Sequence, residues 1–225
     1  MQTLAVIDFE TTGVTSAGGR ATEIAAVLVR DGEIVSEYQN LMRSGAYVPA
    51  FIEQLTGISN KMLEDAPEAA QVMQEVMAFT RGCPLVAHNA SFDRSFWLAE
   101  GAMAGLAPDP AHEFACTVLL SRRLYPEAPN CKLGTLAEFF DLPRQGRAHR
   151  ALADARVTAH LLLRMQRDLE RQYAEDLGDC PIDHRLLSRL QRAPLKAVVA
   201  QLRAHAREWD RERHHNRQLE LCWVS

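Results

Sequence analysis

Two acids, Asp8 and Glu10, stand two residues apart at the end of an apolar run, in Leu4-Ala5-Val6-Ile7-Asp8-Phe9-Glu10-Thr11-Thr12-Gly13. Leu4 to Ile7 read as a buried strand. Strand side chains alternate between faces, so Asp8 and Glu10 share one face and Phe9 points to the other. Paired carboxylates at the end of a buried strand are costly unless a cation or water satisfies them. Gly13 then permits a tight turn. The pattern reads either as half of an oxygen-rich metal site or as a solvated strand end. Two later segments supply partners. His88-Asn89-Ala90-Ser91-Phe92-Asp93 follows the short apolar run from Pro84 to Ala87 and feeds a helix starting near Ser91. His149-Arg150-Ala151-Leu152-Ala153-Asp154 opens a long amphipathic helix. Asp93 and Asp154, each taken alone, could merely complement the positive end of its own helix, worth about 0.3–1 kcal/mol. Four carboxylates and an imidazole, each at a strand end or helix start, point instead to one shared site.

Carboxylate oxygens are hard ligands suited to Mg2+ or Mn2+, and so are phosphodiester oxygens. Two such ions about 3.5–4 Å apart can hold the attacking and leaving oxygens of an in-line displacement. Asp8, at the strand tip, is expected to bridge both ions, and Glu10 shares its face. Asp154 closes the shell of the first ion; Asp93 serves the second, directly or through water. His149 has the pKa range to take a proton from an attacking water near neutral pH. Gly146 lends freedom to the polar loop from Arg144 to Ala148 that delivers it. His112, His160, His184, His205, His214 and His215 read as ordinary loop histidines.

The elements that must position these groups follow from the pattern. Glu23 to Val29 and Glu33 to Leu41 read as strands joined at Asp31-Gly32, a hairpin signal, so the first three strands form an antiparallel meander. A short helical piece lies within Pro49 to Ile58, and helices are expected over Asn60 to Glu64 and Pro67 to Arg81. The Pro84–His88 strand and the Ser91 helix precede a fifth strand, Phe114 to Thr117, and helices over Val118 to Tyr125 and Leu133 to Phe140. In the helix after His149, Leu152, Ala155, Ala159, Leu162, Leu163 and Leu169 share one face. A meander followed by helix–strand alternation implies an α/β protein: a mixed five-stranded sheet with flanking helices. Gly178-Asp179-Cys180-Pro181 marks a linker. His184 to Gln191 and Leu195 to Arg217 read as two helices broken at Pro194. The chain divides into residues 1–174, carrying the site, and a basic helical C-terminal appendage, 175–225, docked on the core or on a partner.

Length and composition bound the rest. The chain has 225 residues, with 47% hydrophobic and 24% charged, enough for one good-sized core and a small appendage. It has no long apolar run, so no membrane span is expected, and its start carries no signal-peptide pattern. Five widely spaced cysteines, 83, 116, 131, 180 and 222, with no C-x-x-C, read as reduced thiols in a cytoplasmic protein. The net charge of −4 argues against a simple electrostatic nucleic-acid binder. Residues 185–217 hold nine Lys/Arg against three Asp/Glu, a basic stretch that reads as a phosphate or partner contact or as a solvated helix face.

The motifs D8-F9-E10-T11-T12-G13, L55-T56-G57-I58, H88-N89-A90-S91-F92-D93 and H149-R150-A151-L152-A153-D154 resemble those of the DEDDh family of 3′–5′ exonucleases, which includes bacterial proofreading exonucleases. They occur in that family's order over roughly residues 4 to 170, with all five catalytic positions filled. The resemblance implies a ribonuclease H-like fold with the first strand central. It also implies two Mg2+ or Mn2+ ions and stepwise release of nucleoside 5′-monophosphates from 3′ ends, preferably of single-stranded DNA. Thr11 and Thr12 would meet the terminal nucleotide, Leu55, Thr56 and Ile58 would wedge against its base, and Asn89 and Phe92 would line the pocket. Phe92 has an equally good reading as a core residue. Arg94, Lys132, Arg147 and Arg150 could offset the site's repulsion of phosphate, or be surface charges. An exoribonuclease on the same scaffold and a non-catalytic nucleic-acid-binding adaptor remain the competing functions.

Overall fold

The computed structural model describes residues 2–222, with side chains through residue 215. β1 (Leu4–Thr11), β2 (Ala21–Arg30) and β3 (Glu33–Leu41) form the expected antiparallel meander. At its hairpin Asp31 and Gly32 both take positive φ, 53° and 82°, the backbone that matches strand twist in a two-residue turn. Then come α1 (Ala50–Thr56), α2 (Asn60–Glu64), α3 (Ala69–Phe79), β4 (Leu85–Ala87) and α4 (Ala90–Met103). β5 (Phe114–Cys116), α5 (Thr117–Leu124), α6 (Leu133–Phe139) and the long α7 (Ala151–Gln172) follow. The sheet order is β3-β2-β1-β4-β5, with β4 parallel to both β1 and β5, so the first strand is central.

β1 runs further than its apolar stretch. It stays paired with β2 through Phe9↔Ile24 and Glu10↔Glu23, and the register shifts only after Glu10. Asp8 and Glu10 are therefore carried within the central strand rather than beyond it. Alternation sorts the strand between two cores. Leu4 and Val6 pack with Ala155, Ala159 and Leu162 of α7, whereas Ala5, Ile7 and Phe9 pack with Val72 and Val76 of α3 and Phe96 of α4. Fully burying each large side chain stabilises by about 1.5–3 kcal/mol. By the same alternation Asp8 and Glu10 belong to the α7 face. A third, small cluster of Val48, Ile58, Leu63 and Ala66, with Leu41 and Ile52 against it, sits under α1 and α2 and is separate from both main cores.

The C-terminal helices are α8 (Ala174–Leu177), α9 (His184–Leu190) and α10 (Val198–Cys222), with the chain broken at Pro194 as expected. Leu177, Ile182, Leu186, Leu187, Leu190, Val198 and Leu202 join the same apolar cluster as β1 and α7, so these helices dock on the core. Asp183 caps α9 by accepting the Leu186 N–H at 2.8 Å. Gln191 reaches the outer edge of β5: its Oε1 accepts the Cys116 N–H at 2.7 Å and its Nε2 donates to the Phe114 carbonyl at 3.1 Å.

Most of the histidines read as loop residues are not in loops. His160 lies on α7, and His205, His214 and His215 on α10. His184 opens α9, buried, with its ring Nε2 3.2 Å from the Leu85 carbonyl, and His205 is buried 3.3 Å from Asp183. The helices that carry them are those the sequence pattern predicts; the burial of His184 and His205 depends on tertiary packing, which local sequence does not carry. The basic stretch is partly neutralised: Arg185 pairs with Glu208 and Glu212, Arg189 with Glu208, and Arg203 with Asp176. Cys83, Cys116, Cys131 and Cys180 are free thiols, while Cys222 and Trp223 lie outside the residues whose side chains are described. Among the described residues no helix is long and apolar enough to cross a membrane.

Candidate active site

Glu10, His149 and Asp154 meet. Ligand atoms of the three, two carboxylate oxygens and a ring nitrogen, lie within 4.8 Å of one another. Glu10 comes from the α7 face of β1 and Asp154 from the first turn of α7. His149 sits just before that helix in a left-handed backbone conformation, φ +60°, which is uncommon for a residue with a side chain. Its N–H donates to Asp154 Oδ2 at 3.1 Å, so the carboxylate holds the turn that delivers the imidazole. Asp93 enters from α4, after Asn89 at φ +66°. Its Oδ1 accepts the Phe9 N–H at 3.1 Å, which pins it against the strand between Asp8 and Glu10.

The four acids repel one another in a partly dry setting. Burial raises the Asp8 carboxyl well above the usual carboxylate range, and Asp93, Glu10, Asp154 and Glu23 push it further in that order. Glu10 is pushed up to about 8 by burial, then by Asp154 and Glu23, with Arg150 pulling the other way. Burial pushes Asp93 up to about 7 against the stabilising Phe9 N–H. Asp154 is raised by burial and drawn back by the N–H and ring of His149. The main influences on Asp8 all disfavour its charged form. An all-oxygen set of this kind beside one imidazole fits divalent cations of the hard type.

One participant was not singled out from sequence. Glu23, fully buried opposite Glu10, takes a bidentate ion pair from Arg150, with Nε at 3.0 Å and Nη2 at 2.7 Å. The same carboxylate accepts the Ala151 N–H at 2.9 Å, tying the start of α7 to β2. Its one sequence signal is a charged residue inside the otherwise apolar Thr22 to Val29 strand. Arg150 is thus engaged by Glu23. Arg147 donates to the Gln54 carbonyl at 2.8 Å, and Arg94 and Lys132 are exposed with no ion pair among the described residues.

The residues expected at the substrate divide by exposure. Leu55 and Asn89 are exposed and Thr12 half-buried. Thr11 is buried and donates to the Gly13 carbonyl at 2.7 Å. Thr56 and Ile58 are buried: the Thr56 hydroxyl donates to the Ile52 carbonyl and accepts the Ile58 N–H. Phe92 is half-buried with its ring 5.0 Å from that of Phe96, so it borders the core as well as the site.

This sheet, with acids on its central strand and on two helices, is that of a nuclease of the ribonuclease H-like class, and a family profile described as exonuclease (RNase_T) matches residues 5–162. The chain belongs to that exonuclease family. It is 37% identical over 165 residues to a PolC-type DNA polymerase III of Caldanaerobacter subterraneus subsp. tengcongensis, covering 73% of this chain and 12% of the relative. It is 39% identical over 171 residues to the 3′-5′ exonuclease DinG of Bacillus subtilis, covering 76% of this chain and 18% of the relative. Among solved structures it is similar to Exonuclease X in complex with 5′ overhanging duplex DNA, with a TM-score of 0.59 and 32% identity over 73% of this chain and 91% of that one. This chain spans less than a fifth of the length of the two curated relatives.

Proposed function

We propose that the chain is a metal-dependent 3′–5′ exonuclease that removes nucleoside 5′-monophosphates from 3′ ends of DNA. The observation that carries this reading is the meeting of Glu10, Asp154 and His149 within 4.8 Å, with Asp8 near enough to be repelled by those acids and Asp93 pinned to the same strand through the Phe9 N–H. Asp8, Glu10, Asp93 and Asp154 would hold a pair of Mg2+ or Mn2+ ions, which would supply positive charge to offset that of the phosphodiester. His149 takes the proton of the attacking water, as general base. Asp154 holds the His149 backbone in place, and Glu23 with Arg150 holds the start of the helix on which both depend. Leu55 meets the terminal base, supported from beneath by buried Thr56 and Ile58, while Thr11, Thr12, Asn89 and Phe92 shape the nucleotide's seat.

Exonuclease X, the relative that this chain covers in the reverse direction at 91%, was solved on duplex DNA with a 5′ overhang, which supports a DNA 3′ end as substrate. Residues 1–174 form the exonuclease unit and residues 175–225 the appendage, whose exposed cations Arg192, Lys196 and Arg207, with no ion pair among the described residues, are offered to a protein partner such as a polymerase. The free thiols support a cytoplasmic setting. The test is digestion of end-labelled single-stranded, recessed and mismatched DNA, and of RNA, with Mg2+ or Mn2+ and with chelator. Stepwise 3′ shortening to 5′-monophosphates is expected. Faster loss of RNA would make the enzyme an exoribonuclease, and no shortening of any 3′ end would leave an adaptor.

A further inference from the structure

We propose that Arg147 is a positioning residue, a latch that joins the α1 lobe to the loop carrying His149, so that a base seated on Leu55 sets the imidazole. The proposal rests on the roles assigned above to Leu55 and His149. Arg147 Nη2 donates to the Gln54 carbonyl at 2.8 Å and lies 3.4 Å from the Leu55 carbonyl. Both are carbonyls of the last turn of α1, which the helix itself leaves without partners and which attract a cation. The Nη1 end of the guanidinium also packs against Gly57. A Cβ there would stand 2.3 Å from Nη1 and 3.2 Å from Cζ. Gly57 is thus required twice: by its φ of +76° and by the arginine on its bare Cα.

The two parts joined this way are otherwise distinct. α1 rests on the small Val48–Ile58–Leu63–Ala66 cluster, not on either main core, and presents Phe51 and Leu55, one turn apart, to solvent. The other partner is the chain segment 146–151. Gly146, at φ +91°, is closed in by the Ala153 methyl, Arg150 is fixed to Glu23, and His149 stands between Arg147 and Arg150. A shift of α1 under a docked base is passed by the rigid guanidinium fork to a residue two positions from the imidazole. A lysine ammonium has no second nitrogen to pack against Gly57 while the first meets the carbonyls.

The alternative role is a direct phosphate contact, and a double-mutant cycle separates the two. Single-turnover rates are measured at saturating single-stranded DNA for wild type, Leu55→Ala, Arg147→Ala and the pair. Each single change is expected to slow the chemical step by about 10- to 100-fold, as small misplacements of a catalytic group do. The pair is expected to be no slower than Arg147→Ala. Gly57→Ala reproduces Arg147→Ala, and Arg147→Lys does not restore the rate. Additive losses, or a salt dependence of DNA binding reduced by about one phosphate contact in Arg147→Ala, overturn the latch. Hydrogen exchange needs no turnover. Arg147→Ala should raise exchange in both 50–57 and 143–149, and a rise confined to 143–149 also overturns it. An inactive wild type would defeat the exonuclease reading, while the exchange result would still judge the latch.

Discussion

Replacing Glu10 by Gln removes an acid that ionises less readily in the folded protein than in the unfolded chain. Its carboxyl is pushed up to about 8 from an ordinary 4.5. Because the folded value is the higher one, folding favours the protonated acid. The associated stability is fully present below pH 4.5 and is lost as pH rises through 8. Each pH unit within that interval is worth about 1.4 kcal/mol, so the penalty reaches a ceiling of about 3 kcal/mol at pH 7 and about 5 kcal/mol above pH 8. Relaxation and water entry reduce the pH 7 figure to about 1–3 kcal/mol. For a chain of this size that is an increase in Tm of about 2–12 °C for Glu10→Gln over wild type. The assay is thermal unfolding of both proteins in chelator at pH 4.5, 7 and 8.5. The two curves should coincide at pH 4.5 and separate progressively above it. Added Mg2+ or Mn2+ should raise the wild type more than the variant, since cation binding favours the ionised acid. A variant less stable than wild type at pH 8.5, or parallel pH profiles, would refute this account of the electrostatics.

Asp8→Ala should abolish nucleotide release while the circular dichroism stays native, and retained turnover would remove Asp8 from the centre. His149→Ala should lower the turnover rate with Mn2+ affinity, measured by calorimetry, unchanged; a large loss of affinity would make it a ligand rather than the base. Glu23→Ala leaves Arg150 and the Ala151 N–H without their buried partner. It should cost about 3 kcal/mol in denaturant unfolding, and Arg150→Ala added to it should cost little more, a cycle that fails if the two losses sum.

Much of this was legible in residue order because it is local. Alternation in Leu4 to Phe9 names the faces of the central strand, and the 3.6-residue spacing from Leu152 to Leu169 gives α7 and its buried side. The acids were legible for a different reason: charged residues at the ends of apolar runs need an explanation that their neighbours do not supply. What stayed hidden depends on register between distant segments. Glu23 gains its meaning only when β2 pairs Glu10 opposite it and α7 brings Arg150 across. Arg147 reads as a cation that offsets the repulsion of phosphate, or as a surface charge, until α1 is placed beside it. The burial of His184 and His205 follows from the docking of α9 and α10, and nothing in their immediate neighbours announces it. Thr56 and Ile58 sit in a motif whose exposed and buried members look alike in one dimension.

The side-chain amide of Gln191 on β5 does the work of a missing sixth strand. An open sheet margin is a template on which a second molecule can grow, and here the β5 margin is stoppered by one glutamine delivered from outside the residues that match the exonuclease family. Trimming the chain back to residues 1–174 would therefore do more than discard the C-terminal helices. It would leave an adhesive border, and concentration-dependent light scattering from a Gln191→Ala protein, absent in the wild type, is how that stickiness would announce itself.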